Sequence, residues 1–247
     1  MTTPNEQPAA VAPLMSHLIE LRSHLLKSVA VILAIFLVLA YFANPLFEYL
    51  SEPLLRYLPE GTQMLATEVI SPFTTPFKLA FYAALFLSVP FILGQVWGFV
   101  APGLYKSERR ILLPLLVCAV FLFYLGIAFA YYLVFPVMFG FMTGIVPMGV
   151  TYAPDIARYL DIVLGMFVAF GAAFEIPIAT ILLVLLGVTT TDSLKKKRPW
   201  IVVFCFVIGA VLTPPDVLSQ IMLAVPMWLL FEIGIFFAEL IEKSRAK

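Results

Sequence analysis

Long apolar runs, separated by short charged or proline-rich segments, dominate the sequence. A helix needs about 20 apolar residues to cross a hydrocarbon core of about 30 Å. Four runs clearly reach this length, a fifth is short, and a sixth carries Gln220 and Glu232. The six predicted spans are residues 25–46, 73–97, 111–139, 157–188, 200–212 and 217–238. The runs are apolar on every side, unlike the alternating strands of a membrane barrel, so we predict an all-α polytopic membrane protein.

The runs belong to one predicted transmembrane domain, residues 14–247, preceded by a flexible N-terminus, residues 1–13. Prolines inside apolar runs each remove one helical hydrogen bond and predict bent helices, which together would form a concave bundle. These prolines are Pro90, Pro114, Pro136, Pro177 and Pro226. Two GxxxG motifs, beginning at Gly94 and Gly140, are weak signals of close helix contacts.

The composition strengthens the membrane prediction. Hydrophobic residues make up 62% of the 247 residues and charged residues only 12%, with a mean hydropathy of +1.03. A soluble domain averages about 45–50% apolar and about 25% charged residues. The 15 basic and 15 acidic residues balance, which gives no indication of nucleic-acid binding. Cys118 and Cys205 lie inside apolar runs, which argues against a disulfide framework and against a metal site.

The distribution of the basic residues predicts the orientation. Twelve of the 15 lie in one alternating set of segments, at residues 22–27, 106–110, 195–198 and 243–247. The other three are Arg56, Lys78 and Arg158. The positive-inside rule then places both termini in the cytoplasm and requires an even number of spans. Six spans satisfy this rule. Four spans plus a re-entrant hairpin would also satisfy it, because residues 200–212 reach only about 20 Å as a helix.

Two acidic residues on the predicted cytoplasmic side lack a partner on their own helix. An amphipathic helix precedes the first span, and its periodicity puts Glu20 and His24 opposite a leucine stripe, with Arg22 turned away from Glu20. Glu108 stands in a basic segment, but its helical neighbours three and four residues away are uncharged. The two carboxylates are suited to bind paired guanidinium groups of another chain. Alternatively, Glu20 is simply solvated and Arg22 reaches lipid phosphates.

Glu175 lies in the middle of an otherwise uncharged run. A carboxylate at the centre of a membrane helix costs about 2.5–3.5 kcal/mol on insertion scales, so we expect it to face the protein interior or a wet cavity. It is either a neutral acid bonded to a neighbouring helix, a proton site, or a polar contact for another subunit.

Enzyme motifs are absent from the sequence. It has no phosphate-binding loop, no H-E-x-x-H and no G-x-S-x-G, and its two histidines share one helix. We therefore expect a protein without catalytic residues, cofactor or metal, which takes any energy it needs from the membrane potential or from partners.

Seven motifs along the chain together resemble the TatC family, the core receptor of the twin-arginine protein translocase. They are SHLIELR at 16–22, SPF at 71–73, QVWGF at 95–99, PGLYKSERR at 102–110, FEIP at 174–177, KKRP at 196–199 and LTPPD at 212–216. The resemblance covers about residues 13–238. It implies a cupped bundle of six transmembrane helices with both termini in the cytoplasm, in the bacterial inner membrane.

The resemblance also implies roles for individual residues. Those implied to bind the twin-arginine signal peptide of a folded cargo are Glu20, Glu108, Arg22, Phe99 and Lys106. Those implied to serve partner contacts and translocation are Pro53, Glu175, Thr213, Asp216 and Gln220. The family exports folded proteins with the proton-motive force, in an oligomeric complex with the single-span subunits TatA and TatB. This chain departs from the family by having His24 at a position that is often basic, and by its short tail.

Two other functions are compatible with the residues alone. A proton-coupled transporter of a small solute would use Glu175 to carry the proton, although we find no internal repeat of the kind such transporters have. A purely structural membrane scaffold is the second alternative.

Overall fold

A computed structural model describes residues 11–55, 64–100, 109–147, 153–212 and 217–245. This part of the chain is almost entirely helical, which confirms the all-α prediction, and an isolated bridge joins Leu65 to Asp155. The helices are α1 (Val11–Ala40), α2 (Ala43–Leu55), α3 (Ser71–Leu87), α4 (Val89–Val100), α5 (Arg109–Phe129), a π-helix (Ala130–Val134), α6 (Phe135–Gly144), α7 (Ile156–Phe174), α8 (Ile176–Leu185), α9 (Thr191–Lys196), α10 (Arg198–Leu212) and α11 (Val217–Arg245).

Several of these helices have the length and composition of membrane spans. Among the described residues, four stretches qualify: Ile19–Ala40, Leu112–Gly144, Ile156–Leu185 and Gln220–Lys243. The consecutive helices α3 and α4 would provide a fifth if they count as one span, although they are bent by 47° relative to each other. Helix α10 is apolar but shorter than the other spans.

The ends of the helices differ from the predicted spans in several places, among them the end of the third span, which reaches Gly144 rather than residue 139. Helix α1 continues without a break from the amphipathic segment into the apolar run, and it ends at Ala40, where a turn separates it from α2. The predicted span 25–46 therefore contains a helix end. Helix α11 does not stop at residue 238 but continues to Arg245, because Glu239 and Glu242 on its last turns contact α9.

The prolines bend the bundle at some sites but not at others. The chain breaks before Pro90, between α3 and α4, and before Pro177, between α7 and α8. Pro136 follows the π-helix, whose wider turn interrupts the third apolar run. Pro114 and Pro226, in contrast, lie inside continuous helices. A proline removes only one hydrogen bond, so the packing around it decides whether the helix breaks.

Helix α7 lies at the centre of the bundle and packs against α3, α5 and α11. Its side chains Leu160, Val163 and Phe170 are completely buried. The backbones of α5 and α7 approach closely at Gly126, where a Cβ atom would lie 2.5 Å from the carbonyl oxygen of Phe170. The core thus joins the third and fourth apolar runs tightly, while α1 packs on the outside against α3 and α4.

Candidate functional site

A polar contact joins α1 to α4 at the end of the bundle where α4 terminates. His24 Nδ1 lies 2.6 Å from Gln95 Oε1 and donates a hydrogen bond to it. Gly98, one turn further along α4, lies beside the ring, and a Cβ at Gly98 would meet His24 Cε1 at 3.4 Å, an ordinary van der Waals contact. The pair fixes the position of the amphipathic part of α1 relative to the QVWGF segment.

An open groove of about 380 Å³ runs along this junction. Its walls are mainly apolar, and its polar lining residues are His24, Gln95 and Ser28. The residues that line it are Leu21, His24, Leu25, Ser28, Val29, Ile32, Ile92, Gln95, Val96 and Phe99. The prediction that His24 lies opposite the leucine stripe is wrong. His24 lines the groove together with Leu21 and Leu25, because residues three and four positions apart share one face of a helix.

The structure places three of the predicted signal-peptide residues on α1 and α4. Glu20 is exposed one helical turn before His24 on α1 and is not among the residues that line the groove. Phe99 is half-buried and lines the groove from α4. Arg22 is exposed and does not line the groove. Lys106 and Glu108 lie outside the described residues.

The residues predicted for partner contacts lie elsewhere in the bundle. Glu175 occupies the break between α7 and α8, and its Oε1 is buried without a hydrogen-bond partner in the described part of the chain. Gln220 connects α11 to α10, since its Nε2 donates to the carbonyl oxygen of Phe206 over 3.0 Å. Pro53 lies within α2. Thr213 and Asp216 lie outside the described residues.

Sequence reasoning missed a set of polar contacts between the end of α11 and the basic segment before α10. Arg198 donates to Glu232 over 2.6 Å, Lys195 pairs with Glu239, and the Thr191 hydroxyl donates to Glu242 over 2.7 Å. Glu232, Glu239 and Glu242 are seven and three residues apart, a spacing that puts them on one stripe of a helix. That stripe was the signal that could have predicted the contact.

A second missed contact lies at the start of α7. Asp155 caps this helix by accepting hydrogen bonds from the backbone of Ala157 and Arg158. Its other oxygen accepts from Thr67, over 2.6 Å from the hydroxyl and 2.9 Å from the backbone N–H. The hydroxyl bond is the main cause that lowers the pKa of the Asp155 carboxyl from 3.8 to about 2, and the backbone bonds add to it. An aspartate directly before an apolar helical run was the available signal.

An exposed carboxylate beside an apolar groove can bind a cation that is followed by an apolar segment. In the described part of the chain, no group of three histidine, cysteine or acidic side chains is placed to hold a metal ion.

Comparison with known proteins identifies the family. Residues 16–226 match the family described as Sec-independent protein translocase protein (TatC). The chain belongs to the TatC family. A TatC of Azotobacter chroococcum mcd 1 is 58% identical over 225 residues, which is 91% of this chain and 88% of that relative. A TatC of Escherichia coli (strain K12) is 54% identical over 226 residues, with coverages of 92% and 88%.

The fold agrees with that of a solved TatC. The crystal structure of a twin-arginine translocase receptor TatC superposes with a TM-score of 0.80 at 36% sequence identity. The match covers 91% of this chain and 98% of the crystallised TatC. The family resemblance predicted from the motifs is confirmed.

Proposed function

We propose that this protein is the signal-peptide receptor and core membrane subunit of a twin-arginine translocase, which exports folded proteins. Its membership of the family of Sec-independent translocase proteins supports the translocase role. This role replaces the transporter and the scaffold that the residues alone left open. In the proposal, the chain itself carries out no chemical reaction. The energy for transport comes from the membrane potential and from the assembled complex.

The observation that carries the receptor role is the junction of α1 and α4. It places Glu20 one helical turn before His24 on α1 and Phe99 in the wall of the groove, on helices joined by the His24–Gln95 hydrogen bond. Glu108 follows in the segment after α4, eight residues beyond Val100. In the proposal, Glu20 and Glu108 bind the two arginines of the signal peptide. Guanidinium groups suit this site because they bond to carboxylates through two parallel hydrogen bonds. Arg22 and Lys106 then change the electrostatic potential around the two carboxylates.

The proposal includes an orientation and a location. Both termini face the cytoplasm of a bacterium and six helices cross its inner membrane, with α3 plus α4 as the second span and the short α10 as the fifth. The concentration of basic residues on one side supports this orientation. Helix α10 has 15 residues and reaches about 22 Å at about 1.5 Å per residue. The bilayer would therefore be thinner beside α10.

The proposed partners are the single-span subunits TatA and TatB. Two polar positions suit contacts with a membrane helix. Glu175 presents an oxygen without a hydrogen bond in the described part of the chain. Gln220 uses its amide nitrogen within the chain, so its amide oxygen is the group proposed for a partner. Interhelical hydrogen bonds of this kind contribute about 0.6–2 kcal/mol, enough to orient a contact. Pro53, Thr213 and Asp216 complete the proposed set.

Export in cells tests the receptor role. The chain is expressed in a bacterial strain that lacks its own TatC and carries a folded reporter with a twin-arginine signal. We expect the wild-type chain to restore export, and Glu20→Gln or Glu108→Gln to abolish it at equal protein level. Glu48→Gln changes another exposed glutamate, on α2, and should export normally. Normal export by both signal-site variants would contradict the proposal.

A further inference from the structure

A polar pocket of about 280 Å³ lies between the starts of α3 and α7. Four of the side chains that line it are charged, namely Glu68, Lys78, Arg158 and Asp161. Lys78 and Arg158 are two of the three basic residues that lie outside the predicted cytoplasmic segments. In the proposed orientation the pocket therefore lies on the outer side of the membrane, and none of its residues has a role in the proposed receptor function.

The charged groups of the pocket differ in whether they are paired. Lys78 on α3 donates a hydrogen bond to Asp161 on α7, and the two form an ion pair between the helices. Arg158 and Glu68 are exposed, and neither side chain forms an ion pair with another described residue. The described part of the pocket thus presents a guanidinium group and a carboxylate that are both available to a ligand.

The hydroxyl of Thr75 adds a third group of this kind. Thr75 lines the pocket and is only 3% exposed. The hydroxyls of Ser71 and Thr74 on the same helix each donate to a backbone carbonyl, whereas the Thr75 hydroxyl has no hydrogen-bond partner among the described residues. Buried polar groups are usually hydrogen-bonded, so a polar group of a ligand in the pocket would supply the bond that this hydroxyl lacks.

The balance of charge in the pocket selects the chemistry of the ligand. A ligand with only a negative charge would be repelled by Glu68 and Asp161, and one with only a positive charge by Lys78 and Arg158. A ligand that carries both charges can pair with Arg158 through its anion and with Glu68 through its cation. An ethanolamine phospholipid has this combination, because its phosphate accepts hydrogen bonds from a guanidinium group and its ammonium donates them to a carboxylate.

Apolar surface next to the pocket favours a lipid over a soluble zwitterion. Phe81 lies three residues after Lys78 on the same face of α3 and is 40% exposed. Gly165 lies four residues after Asp161 on α7, and a Cβ at Gly165 would meet no atom within 4 Å. Open apolar surface therefore begins one helical turn inward from the ion pair, where the acyl chains of a lipid would continue from its headgroup.

We propose that the pocket between α3 and α7 binds the headgroup of a phospholipid that carries both a phosphate and a protonated primary amine. In this site Arg158 and the Thr75 hydroxyl donate to the phosphate, and Glu68 accepts from the ammonium. The Lys78–Asp161 ion pair connects the two helices beside the headgroup. The bound lipid then joins α3, α7 and the segment before α3, and this role does not depend on the receptor function.

Native mass spectrometry of the purified chain with three phospholipids tests the site. Phosphatidylethanolamine, phosphatidylcholine and phosphatidylglycerol are used with identical acyl chains. We expect phosphatidylethanolamine to bind about tenfold more tightly than phosphatidylcholine, whose methylated amine cannot donate a hydrogen bond to Glu68. It should also bind more tightly than phosphatidylglycerol, which has no cation. Equal affinities for the three lipids would overturn the proposal.

Two substitutions in the pocket separate the two halves of the headgroup. Glu68→Gln should make the affinities for phosphatidylethanolamine and phosphatidylcholine nearly equal. Arg158→Gln should weaken both lipids alike, by about tenfold, because both carry the phosphate. Glu48→Gln and Lys243→Gln change exposed charges outside the pocket and should bind all three lipids as the wild type does.

The pattern of losses distinguishes a direct contact from a structural effect. Equal melting temperatures establish that the variants are folded, and a variant that only loosened the fold would not change the preference between two lipids. A wild-type preference in Glu68→Gln would overturn the proposal. An equal loss of lipid in the Glu48→Gln and Lys243→Gln controls would overturn it as well.

Two further arms test the acyl chains. Gly165→Phe fills the open surface below the pocket and should weaken phosphatidylethanolamine about tenfold. Gly144→Phe is the matched control, because a Cβ at Gly144 also meets no atom within 4 Å but this residue lies on α6, outside the pocket. Glycerophosphoethanolamine, the headgroup without chains, should compete poorly with the lipid. Competition at equal concentration, or wild-type affinity of Gly165→Phe, would overturn the lipid as the occupant.

Discussion

Glu175 has the buried side-chain oxygen that lacks a hydrogen bond in the described part of the chain. A buried polar atom without a hydrogen-bond partner destabilises a folded protein by about 1–3 kcal/mol. We therefore expect such an atom to serve a function. The break between α7 and α8 places it beside an interrupted helix, where another polar group can approach. An arriving membrane helix could supply the missing hydrogen bond.

We therefore predict different effects for two substitutions of Glu175. Glu175→Gln keeps side-chain hydrogen-bonding atoms at the same positions and should retain substantial export. Glu175→Ala removes them, leaves the partner's polar group unsatisfied and should lose more export. Export measured at equal protein amounts distinguishes the variants. If glutamine failed as completely as alanine, a titrating role of the carboxylate in proton coupling would be the better explanation.

Asp155 stabilises the fold in a way that depends on pH. Its pKa is lowered in the folded protein, from 3.8 to about 2. The unfolded chain therefore binds the proton more readily than the folded chain. The stabilisation by the ionised Asp155 is fully present above pH 3.8 and is lost as the pH falls toward 2. We expect the melting temperature of the wild type to fall over this interval by more than that of Asp155→Asn. Thr67→Val removes the main cause of the lowered pKa and should move the loss of stability to a pH closer to 3.8. Parallel curves for wild type and Asp155→Asn would contradict this.

At the scale of elements, close helix contacts depend on glycines that the sequence motifs did not indicate. A Cβ at Gly94 or Gly144 would meet no atom within 4 Å, so these GxxxG positions do not mark close contacts within the described chain. A Cβ at Gly126 would collide with the backbone of α7. At Gly234 it would lie 2.9 Å from the Cα of Pro177 on α8. Backbone atoms cannot move aside as a flexible side chain can.

Alanine substitutions compare these two kinds of glycine. Gly126→Ala should destabilise the bundle by about 1–3 kcal/mol, because the added methyl group pushes α5 away from α7. Gly94→Ala should be neutral or stabilising by up to about 1 kcal/mol, because alanine favours the helix and nothing blocks it. Thermal unfolding of the purified variants measures both effects. Equal melting temperatures for the two variants would show that the α5–α7 contact adapts freely.

The apolar runs could be predicted because hydropathy depends on local sequence alone. The extension of α11 to Arg245 could not, because its last turns contact α9, a distant segment of the chain. The same holds for the sites. Glu20 and Phe99 belong to family motifs, but the hydrogen bond that joins their helices links His24 to Gln95, 71 residues apart, and no local pattern predicts it. The hydrogen bond from the amide nitrogen of Gln220 to the carbonyl oxygen of Phe206 could not be predicted from the sequence either.

At the scale of the molecule, the bundle combines a rigid centre with recognition sites at its edges. The buried α7 and its neighbours form the centre, and ion pairs attach α11 to the basic segment before α10. The proposed signal site includes the outer helices α1 and α4, and the proposed partner contacts include Glu175 at the break between α7 and α8 and Gln220 on α11.

Direct binding of a twin-arginine peptide to the purified chain at low salt tests the central claim most directly. We predict that the wild type binds this peptide more tightly than its twin-lysine version, because lysine cannot form the paired bonds of arginine. Glu20→Gln and Glu108→Gln should each weaken binding by about 2–5 kcal/mol, the range for removing one partner of a desolvated charge pair. Unchanged affinity of Glu108→Gln for the twin-arginine peptide would contradict the claim that two carboxylates bind the two arginines.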